Sequence, residues 1–563
     1  MCCSVLFKYR YSFAAVQKNK LSASTPQKVC TMGGNQASKT GIREHHDDHS
    51  SSMGSNGGFH KALNFAEDQS GARQSKSLFS SCRSPYGGNV EAFGWALDSV
   101  GRSISFIASA VFVGTALLNL AKAAAGCATE IPEGETTLPE CDGRIYGIRP
   151  SSILTTYSTV VGVVSSALLP LVGAIIDHSA HRLLVGRQTA LVFCVLSVPL
   201  IFVGERTWFP LAITLLVLAF SGWVHCSIAF AYLPELTKDR DELVKLTASF
   251  TMIQYGTSVL FLIFMVGLLW LLGLGDDEIA AARIAQSIST VATCITFGWA
   301  WTKCFGERPA YQRVPEGSTI VTAGFRKLYR SAIVIFRNYS ALKFFFIAIA
   351  FGEAAAQSLA TIAITYLTDV LLFNSTQNGI AILLMFVGTV PGAVLSKYFT
   401  FRWSPLLGAK VAVSLMALNT GAAALFLTGP GQQVRTYTVG FVWGLGNGWK
   451  YASERCIVCQ VIPKEQDGEY MGIYLFAGQI LLWMPSLIFT VLNENGVNMR
   501  IGIASVGVSF LVALLAFFLM GDYDEAVLAV EEPVDGGDVE EADADAEAAP
   551  SEDVVNMDSR SEQ

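Results

Sequence analysis

The sequence predicts an all-α polytopic membrane protein with twelve transmembrane helices in two pseudo-symmetric six-helix bundles. Composition is the first observation behind this reading. Of 563 residues, 52% are hydrophobic and only 15% charged, against roughly 25% charged in soluble domains. Segment length is the second: residues 93–520 divide into twelve apolar stretches near the about 20 residues that a bilayer core of about 30 Å requires. The third is a basic linker that parts these stretches six and six. Backbone groups in lipid have to be satisfied within the segment, so each stretch is expected to be a helix.

Residues 1–91 are polar, rich in Ser, Gly and His, and contain no span. They read as a disordered cytoplasmic arm, or as an organelle-targeting arm, since Lys8, Arg10, Lys18 and Lys20 precede the first acid, Glu44. The first bundle, 92–302, holds spans near Phe93–Ala121, Ser152–Ile176, Gln188–Val203, Phe209–Leu233, Thr247–Leu274 and Ile284–Trp301. The linker, 303–340, carries Lys303, Arg308, Arg313, Arg326, Lys327, Arg330 and Arg337. The second bundle, 341–520, holds spans near 341–368, 377–399, 405–428, 435–460, 471–492 and 500–520. From 521 to 563 the chain is acidic and poor in aromatics, as expected of a disordered tail. That tail offers nothing to nucleic acid.

Cations divide the loops into two sets. One set holds the seven linker cations and Arg182, Arg187, Lys238, Arg240, Lys245, Lys397, Arg402 and Lys464. The other holds only Lys122, Arg144, Arg149, Arg206, Arg435 and Arg500. Positive-inside bias therefore expects the first set and both termini in the cytoplasm. Cys127 and Cys141 share one loop on the opposite side, where a disulfide persists if the compartment is oxidising; two free thiols are the alternative. Cys456 and Cys459 lie at the end of an apolar helix without a second ligand pair, which favours helix packing over metal. The sequon Asn374-Ser375-Thr376 lies too near the membrane for glycosylation to be expected.

Charges within the spans are few and selectively placed. Asp98 and Arg102 fall in span one, His225 in span four, Glu353 in span seven, and Lys450, Glu454 and Arg455 in span ten. A charge in a bilayer faces water or an opposite charge. Asp98 with Arg102, and Lys450 with Glu454, are spaced to neutralise each other along one helix face, or to meet a cargo or a proton. Glu353 has no local cation and is expected to be protonated, paired across the bundle or hydrated. Gly444, Gly446 and Gly448 permit either a helix break before Lys450 or close helix packing. No nucleophile and base set, phosphate loop or metal-ligand cluster is present, so neither an enzyme nor a cofactor is expected.

Gly173, Asp177, Gly186 and Arg187 follow the second span and resemble the signature between helices two and three of the major facilitator superfamily. Gly392-Ala393-Val394-Leu395-Ser396-Lys397 echoes it at the equivalent loop of the second half. Three further stretches resemble the autophagy-linked vacuole effluxer family within that superfamily. They are Gly94-Trp95-Ala96-Leu97-Asp98-Ser99, Ala231-Tyr232-Leu233-Pro234-Glu235-Leu236, and Ser453-Glu454-Arg455 with Val461-Ile462-Pro463-Lys464 and Glu469-Tyr470-Met471-Gly472-Ile473-Tyr474.

The resemblance implies that spans one, four, seven and ten line a central path, where the interior charges lie. It also implies a secondary transporter that works by alternating access and exports amino acids from vacuole or lysosome to cytosol. In that reading Asp98, Arg102, Glu353, Lys450 and Glu454 contact substrate or a proton, while Asp177, Arg187 and Arg455 gate. A zwitterion suits such a set, its carboxylate meeting Lys450 or Arg102 and its ammonium Glu353 or Asp98. Arg102 and Lys450 stand where the family pattern expects small, amide or neutral polar residues, which leaves the cargo open to a drug, a sugar or an organic ion. A non-transporting receptor or scaffold with partner-binding arms is the reading from a different class.

Overall fold

The computed structural model describes residues 88–128, 143–178, 181–237, 240–308, 319–462 and 467–531. The first six spans are α1 (Val90–Ala124), α2 (Ile153–His178), α3 (Arg182–Ser197), α4 (Trp208–Tyr232), α5 (Arg240–Leu272) and α6 (Glu278–Trp299). α6 is prolonged by a π-helical turn, Ala300–Cys304. A linker helix, α7 (Ile320–Asn338), precedes α8 (Ser340–Asp369), α9 (Ser375–Arg402), α10 (Pro405–Phe426) and α11 (Gln433–Val461). The eleventh span is broken into α12 (Asp467–Ile480) and α13 (Trp483–Glu494), and α14 (Met499–Leu519) and α15 (Tyr523–Glu531) complete the order.

Helix ends are set by local side chains. Asn89 caps α1 by accepting from Ala92 N at 3.0 Å, and Asp277 caps α6 by accepting from Ala280 N at 2.9 Å. Asn374 and Gln377 form a reciprocal capping box on α9, satisfying two amides that the first turn leaves over. The Asn374 amide also donates to Asp276 Oδ1 at 2.7 Å, so the sequon nitrogen is already engaged. The break between α12 and α13 is explained by Pro485, which has no N–H to return to the preceding turn. Ser358 of α8 donates to Leu482 O there at 2.9 Å.

The two halves repeat one pattern of packing. In the first, α1 lies against α5 and α6, α4 against α2 and α3, and α3 against α6. Six spans later α8 lies against α12 and α14, α11 against α9 and α10, and α10 against α14. The halves meet through α2 with α13 and α5 with α9, a pair of contacts related by the same repeat. α1 and α8 are the most enclosed, with 72% and 61% of their membrane stretch buried against 22% for α2. Lipid-facing positions such as Leu260 and Val390 are 68% and 66% exposed.

Among the described residues, eleven helices are long and apolar enough to cross a bilayer by composition. α11 is long enough, at about 43 Å, but is too polar for that set, since Arg435, Lys450, Glu454 and Arg455 lie within it alongside a run rich in Gly with Asn447. Its glycines do not break it. A Cβ on Gly444 would lie 1.9 Å from Met385 O, and one on Gly448 2.1 Å from Thr389 O. Reciprocally, a Cβ on Gly388 would lie 2.3 Å from Phe441 O and one on Gly392 2.0 Å from Leu445 O. Small residues one turn apart on both helices bring α9 and α11 into backbone contact, as membrane helices pack without a hydrophobic drive. The helix-break expectation is therefore corrected to continuous close packing.

Other departures have equally local causes. The third span begins at Arg182 rather than Gln188 because the Arg182 side chain, 3% exposed, is covered by protein. The linker contains α7, whose apolar positions are interleaved with cations. The stretch expected to be structureless from 521 is helical to Glu531: Ala526 is buried, and the Tyr523 hydroxyl donates to Gln460 Oε1. Residues 1–87 and 532–563 lie outside the described residues.

Replacing Gly448 by alanine is expected to lower stability by about 1–3 kcal/mol, because α9 and α11 must separate. Gly298, where an added Cβ would meet nothing within 4 Å, should accept alanine neutrally or gain up to about 1 kcal/mol in helix propensity. Unfolding midpoints of the two purified variants check the contrast.

Candidate functional site

The interior charges gather in two clusters, one in each half. In the first, Asp98 on α1 is fully buried and accepts at both carboxylate oxygens. Arg102 Nε donates to Oδ2 at 2.6 Å, while His225 Nε2 and Trp301 Nε1 lie 2.8 and 2.9 Å from Oδ1. Thr189 Oγ1 on α3 lies 3.0 Å from His225 Nδ1. The Arg102 guanidinium also donates to Ser99 Oγ and Cys226 Sγ, and stacks over the Trp95 and Phe230 rings at 5.1 and 5.6 Å. One carboxylate and one guanidinium balance, and every oxygen of the acid has a donor. Removing water from such a pair is costly, and its geometry offsets that cost.

Two glycines make this arrangement possible. A Cβ on Gly186 would lie 1.9 Å from the Trp301 ring, and one on Gly94 2.4 Å from Cys304 Cβ. Arg187 Nε donates to Trp301 O at 2.9 Å, holding a carbonyl at the end of α6. The side chain of Asp177, expected to gate together with Arg187 and Arg455, lies outside the described residues. Nearby, Glu235 accepts from Arg182 at 2.6 Å and pairs with Arg308, which also pairs with Glu91. These contacts tie the start of the linker to α1 and to the end of α4.

The second cluster joins α8 and α11. Lys450, with no exposed surface, donates to Glu353 Oε1 at 2.6 Å and Glu454 Oε2 at 3.0 Å. The Tyr451 hydroxyl donates to Glu353 Oε2 at 2.7 Å. Glu353 thus finds its cation on another helix of its own bundle, one of the three states open to it. Glu454 Oε1 is buried with no hydrogen-bond partner. Two carboxylates face one ammonium, so this cluster, unlike the first, has one acid in excess. A Cβ on Gly352 would lie 3.1 Å from Lys450 Cε, a tight contact that would press on the ammonium-bearing side chain.

Among the described residues no hydrogen bond or ion pair joins the two clusters. The first lies about two helical turns from the linker-side end of α4, the second about three turns from that end of α11. The sequence reading missed Trp301, Thr189 and Tyr451, which supply donors or acceptors to the charges; each meets a partner on another helix, 36 or more positions away, that no local pattern marks. Cys127 is disulfide-bonded, and Cys141 lies outside the described residues. Cys456 and Cys459 are not disulfide-bonded, and no cluster of three or more metal-ligating side chains is found among the described residues.

At the face opposite the linker, polar bonds cross between the halves. Lys122 pairs with Asp369, Arg144 with Glu494 at 2.9 Å, and Arg149 N donates to Glu494 Oε1 at 2.8 Å. Asn493 donates to Ser151 and Ser152, Thr490 to Thr155, Ser486 to Ser158, and Asn378 to Thr115. Toward the linker face, Arg455 reaches Thr251 across the halves at 3.4 Å.

Lys450→Met is expected to destabilise by roughly 3–5 kcal/mol, because two buried carboxylates lose their cation. Adding Glu353→Gln and Glu454→Gln should restore most of that loss. Unfolding midpoints of the single and triple variants measure both effects.

Solved transporter structures share the fold. The nucleoside transporter NupG aligns with a TM-score of 0.54 at 13% identity, covering 77% of this chain and 100% of that one. The POT-family transporter PepTSo aligns at 0.54 and 14%, covering 78% and 98%. The inward-open xylose transporter XylE from E. coli aligns at 0.51 and 13%, covering 81% and 99%. No curated protein matches the chain in sequence. The family model described as "Vacuole effluxer Atg22 like" matches residues 89–527. By that match over most of its length, the chain belongs to the vacuole effluxer Atg22-like family, a group of multi-pass membrane transporters with the major facilitator fold.

Proposed function

We propose that this transporter exports amino acids from the vacuole or lysosome to the cytosol, with the linker face and both termini cytoplasmic. The observation that carries the reading is the Glu353–Lys450–Glu454 set, a buried triad with one acid in excess and one carboxylate oxygen without a donor. A cargo ammonium or a proton offsets that excess, and a cargo carboxylate competes for Lys450. The similar structures are of a nucleoside transporter, a xylose transporter and a POT-family transporter, and a shared fold does not choose among cargoes. The family description supports the compartment, and the charge inventory supports a zwitterion.

Alternating access is supported by where the halves are joined. Among the described residues most of the polar bonds across them lie at the face opposite the linker, which supports reading that face as the closed one. Opening it requires Lys122–Asp369 and Arg144–Glu494 to part while the contacts near Arg455 and Thr251 tighten. The excess of cations on the linker side supports a cytoplasmic linker.

In proteoliposomes loaded with a mixture of amino acids, Glu353→Gln and Lys450→Ala should each reduce efflux at least tenfold. The triple variant Glu353→Gln/Lys450→Met/Glu454→Gln, folded but uncharged, should be equally inactive. Wild-type flux in all three removes this site from the mechanism. Flux of other solutes in place of amino acids keeps the carrier and changes its cargo.

A further inference from the structure

The linker helix α7 has three distinct sides. At about 100° per residue, Ser331 and Ile335 share the side packed toward α2 and α8, and they are 6% and 1% exposed. Arg326, Arg330 and Arg337 fall within an arc of roughly 40° on the far side, and Arg326 and Arg337 are exposed. Tyr329 and Phe336, 55% and 54% exposed, lie between the two. The helix has no Asp or Glu. It ends immediately before Tyr339 and Ser340, where α8 enters the membrane stretch. Its last turn therefore sits at the depth of the bilayer boundary.

We propose that this outward side of α7 binds anionic phospholipid headgroups of the leaflet on the linker face. The aromatic pair enters the interfacial zone, where amphipathic rings are favoured. The cations beside it meet headgroup phosphates and serine carboxylates, as on interfacial amphipathic helices. Continuity with α8 selects a lipid surface over a soluble acidic partner, because the membrane is already present at that level. A consequence is that α7, resting against α2 of one half and α8 of the other, responds to the lipid composition of the cytoplasmic leaflet.

The test uses the full chain in nanodiscs of phosphatidylcholine, with and without phosphatidylserine. Phosphatidylserine should raise the wild-type unfolding midpoint by about 2–4 °C, and the gain should shrink at high salt. In Arg326→Gln the gain should shrink to about half, while the midpoint in phosphatidylcholine alone stays at the wild-type value. An undiminished gain in the variant overturns the proposal. So does an equal loss of stability in both lipids, which would mark the cations as held by an acidic protein segment, such as the chain's own tail.

Discussion

Lys450 has no solvent exposure, and a bilayer interior supplies no water to replace what its ammonium loses. Its two carboxylate partners are consequently a condition of the fold. Meeting it fixes how α8 and α11 face each other, since Glu353 and Lys450 meet at 2.6 Å across helices where residue 352, a glycine, lies close to the Lys450 side chain. The glycine contacts between α9 and α11 follow from the same need. A helix too polar to pass as a membrane span is accommodated by surrounding it closely: Gly444 and Gly448 take backbone from α9, and Gly446 takes Met416 from α10. The polarity that weakens α11 as a membrane helix is thus matched by unusually close packing around it.

The separation of the charges into two clusters bears on how such a molecule moves. If Asp98 and Lys450 shared one site across the crevice, rocking the halves apart would strand buried charges, at a cost of several kcal/mol each. Here each cluster is neutralised, wholly or nearly, by partners in its own half. A rigid-body motion would leave both intact and part bonds that join the halves, among them Ser486 with Ser158, Thr490 with Thr155 and Arg144 with Glu494. Water can replace those bonds at little net cost. The acid in excess at Glu454 then stands out as the place where a change of charge alters an otherwise self-contained half.

Most of the fold was legible because hydrophobic length and cation bias are properties of composition, read without knowing any contact. Spans one, four, seven and ten were identified as polar for the same reason. Register and partner choice were not legible. Asp98 with Arg102 and Lys450 with Glu454 followed from spacing along one helix, but His225 with Asp98 and Lys450 with Glu353 join residues more than ninety positions apart. α7 was hidden because a helix with cations on one side and apolar residues on the other averages to a polar linker. The first turn of α3 was hidden because Arg182, taken alone, reads as a loop residue, and its pairing with the distant Glu235 is not visible in the local sequence.

The loop signature itself illustrates how a pattern and its mechanical role can separate. Gly173 meets nothing within 4 Å, whereas its echo Gly392 is pressed against Leu445 O. Ser396, in the place of Asp177, lies 2.8 Å from Ser453 on the turn before Glu454. In the first half the weight falls on Gly186 and Arg187, and both act on Trp301: the glycine makes space for the indole, and the arginine holds its carbonyl. Because the same indole donates to Asp98, a displacement of the α2–α3 hairpin reaches the buried carboxylate through one rigid side chain. The corresponding loop of the second half reaches its acid through Ser396 and Ser453 on α9 and α11, helices already locked backbone to backbone. Equivalent loops in the repeat therefore couple to their clusters by different means, an adjustable indole in one half and a fixed glycine seam in the other.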